Sequence, residues 1–315
     1  MPKINIDDYK NPLLTNFAQG YSPPNFVNRM VCPPIPVTKN YGSYRVMKDG
    51  SYLADDTRAR NTKSKTIDFA YGFAKFQIEE KSLASSIDLE DIKDAKDLEA
   101  TIDLKIDAVK AVDRILETNR ENRVSEFMMS EESYDDAMQL DLTEGAGVPW
   151  SDTEHADPMA DVAAAREAVR AKTGLLPNSL VMGYRAYSAL RANKLMKASL
   201  SITEARGLLT LEQIKFLLEV DNLIVGNSVY NTAELGADPI YADFWGEGCS
   251  VCNIPSASEI KSGMPVLAAV FENLSRSVVL EIPNGELIDF VLKRYYDVVK
   301  INGYNAYLLK NCLGS

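Results

Sequence analysis

"WSDTEHADP", residues 150–158, sets three carboxylates and the only histidine of the chain within a few positions. Asp152, Glu154, His155 and Asp157 are the residue types of a metal site or an acid/base pair, which would make the protein a hydrolase. Ligands, however, normally converge from separate elements and are oriented by surrounding partners, whereas these four share one loop. A second reading accounts for more of the residues. Asp157 is a favoured N-cap and Pro158 a favoured first helical residue, and "MADVAAAREAVRA" follows as the helix. Asp161 then falls in the first turn, where negative charge suits the helix dipole. Trp150, after the turn "GAGVP", buries its ring as an anchor. Trp150, Asp157 and Pro158 are therefore structural residues of a folded corner, and no catalytic, cofactor or metal role is assigned to them.

Outward from that corner, composition removes several classes. At 315 residues, 46% hydrophobic and 25% charged, the chain can bury a sizeable core. Its 34 Lys and Arg against 45 Asp and Glu give −11, the wrong sign for a surface that neutralises phosphates. The N-terminal "MPKINIDDYK" lacks the apolar segment of a signal peptide, so the four cysteines, Cys32, Cys249, Cys252 and Cys312, are expected as free thiols of a reducing cytoplasm. Cys249 and Cys252 form a lone C-x-x-C without the second pair a structural zinc needs. No apolar run approaches the ~20 residues of a membrane span. No G-x-S-x-G elbow, G-x-G-x-x-G or Walker-type G-x-x-x-x-G-K occurs, so no cofactor is expected.

The elements come in a distinctive order. Residues 1–38 end in "VCPPIPV", where Pro33, Pro34 and Pro36 enforce extended backbone, and they read as an arm that must lie on something else. Strand patterns at 40–48 and 66–79 flank the polar "DGSYLADDTRARNTKSK", giving a long hairpin. The apolar phase slips between Phe73 and Phe76, which predicts a bulge near Gly72, and the aromatic row Phe69, Tyr71, Phe73, Phe76 reads as packing. Arg58, Arg60, Lys63 and Lys65 put four cations into eight residues of the loop, a clamp for an acidic neighbour or a solvated tip. Residues 97–129 predict a helix of roughly 45 Å, with Leu98, Ile102, Ile106, Val109, Val112 and Leu116 on one face and mixed charge on the others. An α/β lobe follows, with helices after Pro158 and near Arg185, a capping box at Thr210 and Gln213, and strands "SLVM", "NLIVG" and "PVLAAVF". In "ELIDFVLKRYYDVVKINGYNAYLLKNCL" two strands are joined by Asn302-Gly303, the signature of a type I′ hairpin.

Arm, hairpin, long helix, inserted lobe and returning strands resemble the major capsid proteins of tailed phages, the Hong Kong 97 fold. The local sequences "NFVNRMVCPPIPV", "GVPWSDTEHADP" and "LPNSLVMGYRAYSALRAN" are similar to that family, the second most specifically. The resemblance implies an α+β chain with an N-terminal arm (1–38), an E-loop hairpin (39–80), a P-domain with spine helix (81–157 and 276–315) and an inserted A-domain (158–275).

It also implies a non-enzymatic shell protein that self-assembles into pentamers and hexamers around phage DNA, in the virion and, during assembly, in the host cytoplasm. The partners implied are further copies of the chain, a portal, a decoration protein, and DNA held without sequence specificity. Members without a separate scaffolding protein carry a long helical N-terminal extension; this chain does not, so a separate scaffold or protease is expected. Some members cross-link an E-loop lysine to a P-domain asparagine. Lys63 and Lys65 are the lysines for that role, without an alignable asparagine or glutamate. The same fold serves encapsulin-type nanocompartments, which is one alternative. The other, of a different class, is the metal-dependent hydrolase using Asp152, His155 and Asp157.

Overall fold

In the computed structural model the described residues are 9–20, 25–47, 57–58, 60, 62–64, 66, 71–92, 104–145, 147–200, 207–234, 237–261, 263–264 and 266–314. Two five-stranded sheets and one long helix organise them. In the first sheet the inner strand is Leu287–Lys300. Along one edge it pairs antiparallel with Glu79–Asp88 (Leu287 opposite Asp88, Tyr296 opposite Glu79). Along the other it meets Val278–Asn284 and then Ala268–Glu272. Pro34–Pro36 adds a parallel strand beyond Ala268–Glu272. Two prolines are tolerated there because an edge strand need not donate on its outer side.

The inner strand is half-buried by alternation: Phe290, Leu292, Arg294 and Tyr296 point to one face and are all buried. Against the first sheet lies the long helix, Leu104–Met129, about 39 Å at 1.5 Å per residue. Its buried positions are Val109, Val112, Asp113, Leu116, Glu117, Arg120, Glu121, Val124, Ser125 and Met128. They recur at alternating steps of three and one, the stripe of a single helix face. Val109, Val112 and Leu116 pack with Val279, Phe290 and Leu292, whereas Val124 and Met128 pack with Val181, Ile224 and Trp245 of the second lobe. One helix thus carries two cores.

The second sheet runs, in order, Gln139–Asp141, Ala306–Lys310, Cys249–Cys252, Ser179–Gly183 and Asn222–Gly226. It mixes parallel pairs at both ends with antiparallel pairs in the middle. The helices Pro158–Thr173, Tyr184–Ala192 and Leu211–Leu218 accompany it, and Thr210 and Gln213 form the expected capping box. Among the described residues no helix is long and apolar enough to cross a membrane.

Four expectations change. The segment 1–38 is not simply extended: Pro12–Gly20 is a helix whose Leu14 and Ala18 are buried against the long helix and the strand Val278–Asn284. Asn11 Oδ1 accepts from the amides of Leu13 and Leu14 and Pro12 follows it, the same cap-and-proline device as Asp157-Pro158. The hairpin Tyr41–Met47 with Tyr71–Gln77 keeps an unbroken register from Tyr41 opposite Gln77 to Met47 opposite Tyr71, so there is no bulge at Gly72. The apolar phase slips because the aromatic residues sit on both faces of the strand: Phe76 packs inward and Phe73 is 69% exposed.

Asn302-Gly303 closes no hairpin. Asn302 has φ −159°, its amide and that of Ile301 donate to the Leu267 carbonyl, and the strands on either side enter different sheets. Ala268–Glu272, read as part of the α/β lobe, belongs to the first sheet, and Ala306–Lys310 to the second. The strand Glu79–Asp88 had no recognised signal, because "EEKSLASSID" is charged and serine-rich and mostly exposed.

Candidate functional site

The corner at 150–158 is built from its own backbone. Trp150 is fully buried; its amide donates to the Cys312 carbonyl at 2.6 Å and its Nε1 to Asp161 Oδ2 at 2.9 Å. Burial raises the Asp161 carboxyl from its ordinary value while the indole N–H holds it down in part. Asp152 folds back on its own turn: Oδ1 accepts from the amides of Glu154 and His155, and Oδ2 meets His155 Nδ1 at 2.9 Å. These bonds, the His155 one first, hold the Asp152 carboxyl below its usual range. Glu154 pairs with Lys194.

Asp157 Oδ1 accepts from the Ala160 amide at 3.1 Å, and Pro158 opens the helix and is buried. Asp152 and His155 are therefore brought together, whereas Asp157 is committed to a helix end. Each acidic side chain already has a partner, and among the described residues no group of three metal-ligating side chains converges.

A second cluster lies at the middle of the molecule, where the long helix changes core. Asp113, Glu117, Arg120 and Glu121 occupy the charged centre of its buried stripe. Arg294, in the buried row of the first sheet, donates from Nη2 to Asp113 Oδ1 at 2.7 Å and to the Ala18 carbonyl at 2.6 Å. Arg120 Nη1 reaches Glu272 Oε2 at 3.3 Å, and its guanidinium stands 5.0 Å above the Tyr296 ring. Arg29 Nη2 donates to Glu117 Oε1 at 2.8 Å.

Glu121 is fully buried and takes four donors: the amides of Val27 and Asn28 (2.8 Å to the latter), Ser228 Oγ at 3.0 Å and Trp245 Nε1 at 2.7 Å. Burial pushes the Asp113 carboxyl up, with the Arg294 guanidinium pulling against it. Buried ion pairs recover their desolvation only with good geometry, and Asp113 Oδ2, Glu117 Oε2 and Glu272 Oε1 make no hydrogen bond. Part of the desolvation of these carboxylates is therefore left unrecovered.

From sequence, the charged residues of this helix fall on mixed-charge faces apart from the apolar one. A signal was present nonetheless: 113, 117, 120 and 121 continue the three-and-four spacing of Val109, Val112 and Leu116.

At the surface, Arg58, Arg60 and Lys63 are exposed, with Arg58 Nη1 3.4 Å from Ser64 Oγ. Lys65 lies outside the described residues, as do Phe69 and the side chain of Tyr71. The base of the hairpin is anchored by Phe76, stacked on Phe271 with centroids 4.4 Å apart, and by Tyr44, 5.2 Å from the same ring and donating to the Lys300 carbonyl. Tyr41 and Phe73 on the same hairpin face outward, 74% and 69% exposed. All four thiols are free and buried, and burial pushes Cys32 and Cys252 up to about 12. Cys249 and Cys252 lie on one strand three positions apart, so they point to opposite faces.

No family model matches the chain. Over 265 residues it is 27% identical to the major capsid protein of Burkholderia phage BcepMu, an alignment that covers 81% of this chain and 78% of that protein. Its fold is similar to the crystal structure of a phage-related protein from Bordetella bronchiseptica, with a TM-score of 0.74, 21% identity, and 96% and 97% of the two chains covered. It is also similar to the capsid of an empty GTA particle, with a TM-score of 0.52, 14% identity, and 92% and 91% covered.

Proposed function

We propose that this chain, which has the Hong Kong 97 fold, is the major capsid protein of a tailed phage, a structural subunit that self-assembles into a closed shell. The observation that carries the reading is the joint one of fold and sequence: a capsid architecture over nearly the whole chain, and similarity to a protein named as a phage major capsid protein over 81% of it. The geometry agrees with a protein that works through surfaces. The acidic residues of the 150–158 corner are spent on turns and a helix cap, while aromatic and cationic side chains of the hairpin face solvent.

In family terms the segment up to about residue 38 is the arm, the hairpin from 39 to 80 the E-loop, Leu104–Met129 the spine helix, the first sheet the P-domain, and the second sheet with its helices the A-domain. Pentamers and hexamers would form through copies of this chain, with the hairpin reaching a neighbour. A separate scaffold, a portal and a decoration protein are the further partners of the reading. DNA would be enclosed without sequence-specific contact, in keeping with the charge of −11.

Negative-stain electron microscopy of the expressed protein, alone and with a co-expressed scaffold, tests the reading. Shells or capsomer rings are expected, and a monodisperse monomer under every condition would overturn it. Shells that copurify with an enzyme cargo and never with DNA would favour the nanocompartment instead. Stoichiometric metal lost in His155→Ala would favour the hydrolase.

A further inference from the structure

We propose that Glu121 is a coupling latch, through which docking of the N-terminal segment and seating of the second lobe on the long helix become one equilibrium. This goes beyond the shell function, which needs only that the subunit fold and associate. The latch differs from the neighbouring ion pairs in its partners. Asp113, Glu117 and Glu272 each face an arginine, but among the described residues no cation is paired with the Glu121 carboxylate. Its charge is held entirely by neutral donors, and these come from two distant parts of the chain. Val27 and Asn28 lie in the N-terminal segment, more than 90 residues before Glu121 in sequence; Ser228 and Trp245 lie in the second lobe, more than 100 after it.

A buried carboxylate without a counter-ion stays buried only while enough donors point at it, so each donor raises the value of the others. Oε1 takes both second-lobe donors, and Oε2 takes the Asn28 amide at 2.8 Å. Tilting the lobe away removes two donors at once. The carboxylate then gains by turning toward water, and the amides of Val27 and Asn28 lose their acceptor although nothing in the N-terminal segment has been altered. Conversely, lifting the segment withdraws two amides and loosens the lobe's hold on the helix. Trp245 is fixed in this position by close backbone contact: a Cβ on Gly226 would sit 2.0 Å from its ring, so only glycine leaves room for the indole. The N-terminal segment is thus a reporter of lobe position, and lobe position a control on the segment.

Hydrogen exchange on the full-length chain tests this with Ser228→Ala, which removes one hydroxyl donor and little volume. The expected result is exchange about ten-fold or more faster at Val27 and Asn28, the loss of one bond to a charged group, while Leu180, Val181 and Met182 of the second sheet keep wild-type protection. In a Glu121→Gln background, where the segment is already loosened, Ser228→Ala should add little. Unchanged exchange at Val27 and Asn28 in Ser228→Ala would overturn the proposal, and so would an equal rise across the second sheet, since Glu121 would then serve only general stability. Trp245→Phe, measured the same way, removes the other lobe donor and should reproduce the effect of Ser228→Ala.

Discussion

Asp157 gives its helix one oxygen, 3.1 Å from the Ala160 amide, and that single bond sets what the residue is worth. Asp157→Ala should lower stability by ~1 kcal/mol, read as a lower denaturant midpoint with an unchanged slope. Asp157→Ser should restore most of it, since a hydroxyl can cap as well; failure of Ser to rescue would show that more than the cap is involved. This corner was legible because N-cap and first-turn preferences are local physics, expressed in adjacent residues. The seam around Glu121 was not legible for the opposite reason. Glu117, Arg120 and Glu121 are charged, and a charged residue at a buried helical position looks like a surface residue until its partners, Arg29, Glu272 and Trp245, arrive from far along the chain.

Among elements, the docking of Pro12–Gly20 is partly electrostatic and therefore depends on pH. Glu281, on the strand Val278–Asn284, accepts from Lys105 of the long helix at 2.6 Å and from the Asn11 amide group at 3.0 Å. Burial opposes its ionisation, but these two donors together hold the carboxyl below its ordinary 4.5. A depressed folded value means stabilisation present above the unfolded value and lost as pH falls through the folded one. Glu281→Gln should therefore cost up to about 1 kcal/mol at pH 7, and the gap to wild type should narrow as pH falls past the unfolded glutamate value of about 4.3 and close only below the depressed folded value; a gap that persists undiminished in acid would assign the effect to packing.

The hairpin is anchored at its base by ring stacking, so Phe76→Ala should make residues 41–77 more sensitive to limited proteolysis while the thermal unfolding of the rest is little changed. Where an element's identity depends on its own residues, as in the long helix or the capped helix after Thr210, the sequence reading located it. Where it depends on the partner strand, it did not. Glu79–Asp88 is a strand because Leu287–Lys300 lies beside it, and Asn302-Gly303 is not a hairpin because the Leu267 carbonyl takes the amides of Ile301 and Asn302.

For the molecule as a whole, the proposed role of the exposed cations of the hairpin loop is association rather than folding. Changing Arg58, Arg60 and Lys63 together to Glu should leave the unfolding midpoint within ~0.5 kcal/mol of wild type, yet reduce the yield of shells by sedimentation, the more so at low salt. Normal shells from that variant would remove the loop from the assembly contacts. The topology has a further consequence, for the timing of synthesis. A single stretch, 287–310, supplies an inner strand to each of the two sheets, and the partners on both sides of each strand precede it in the chain. A ribosome that has translated only the first 285 residues has produced the flanking strands of both sheets, some already able to pair with each other, without the inner strand that joins them. Neither sheet is complete before its strand of this stretch has been made, and contacts of such high sequence separation form slowly. The nascent subunit stays open, and unable to present a finished surface to its siblings, until nearly all of these 315 residues have been made.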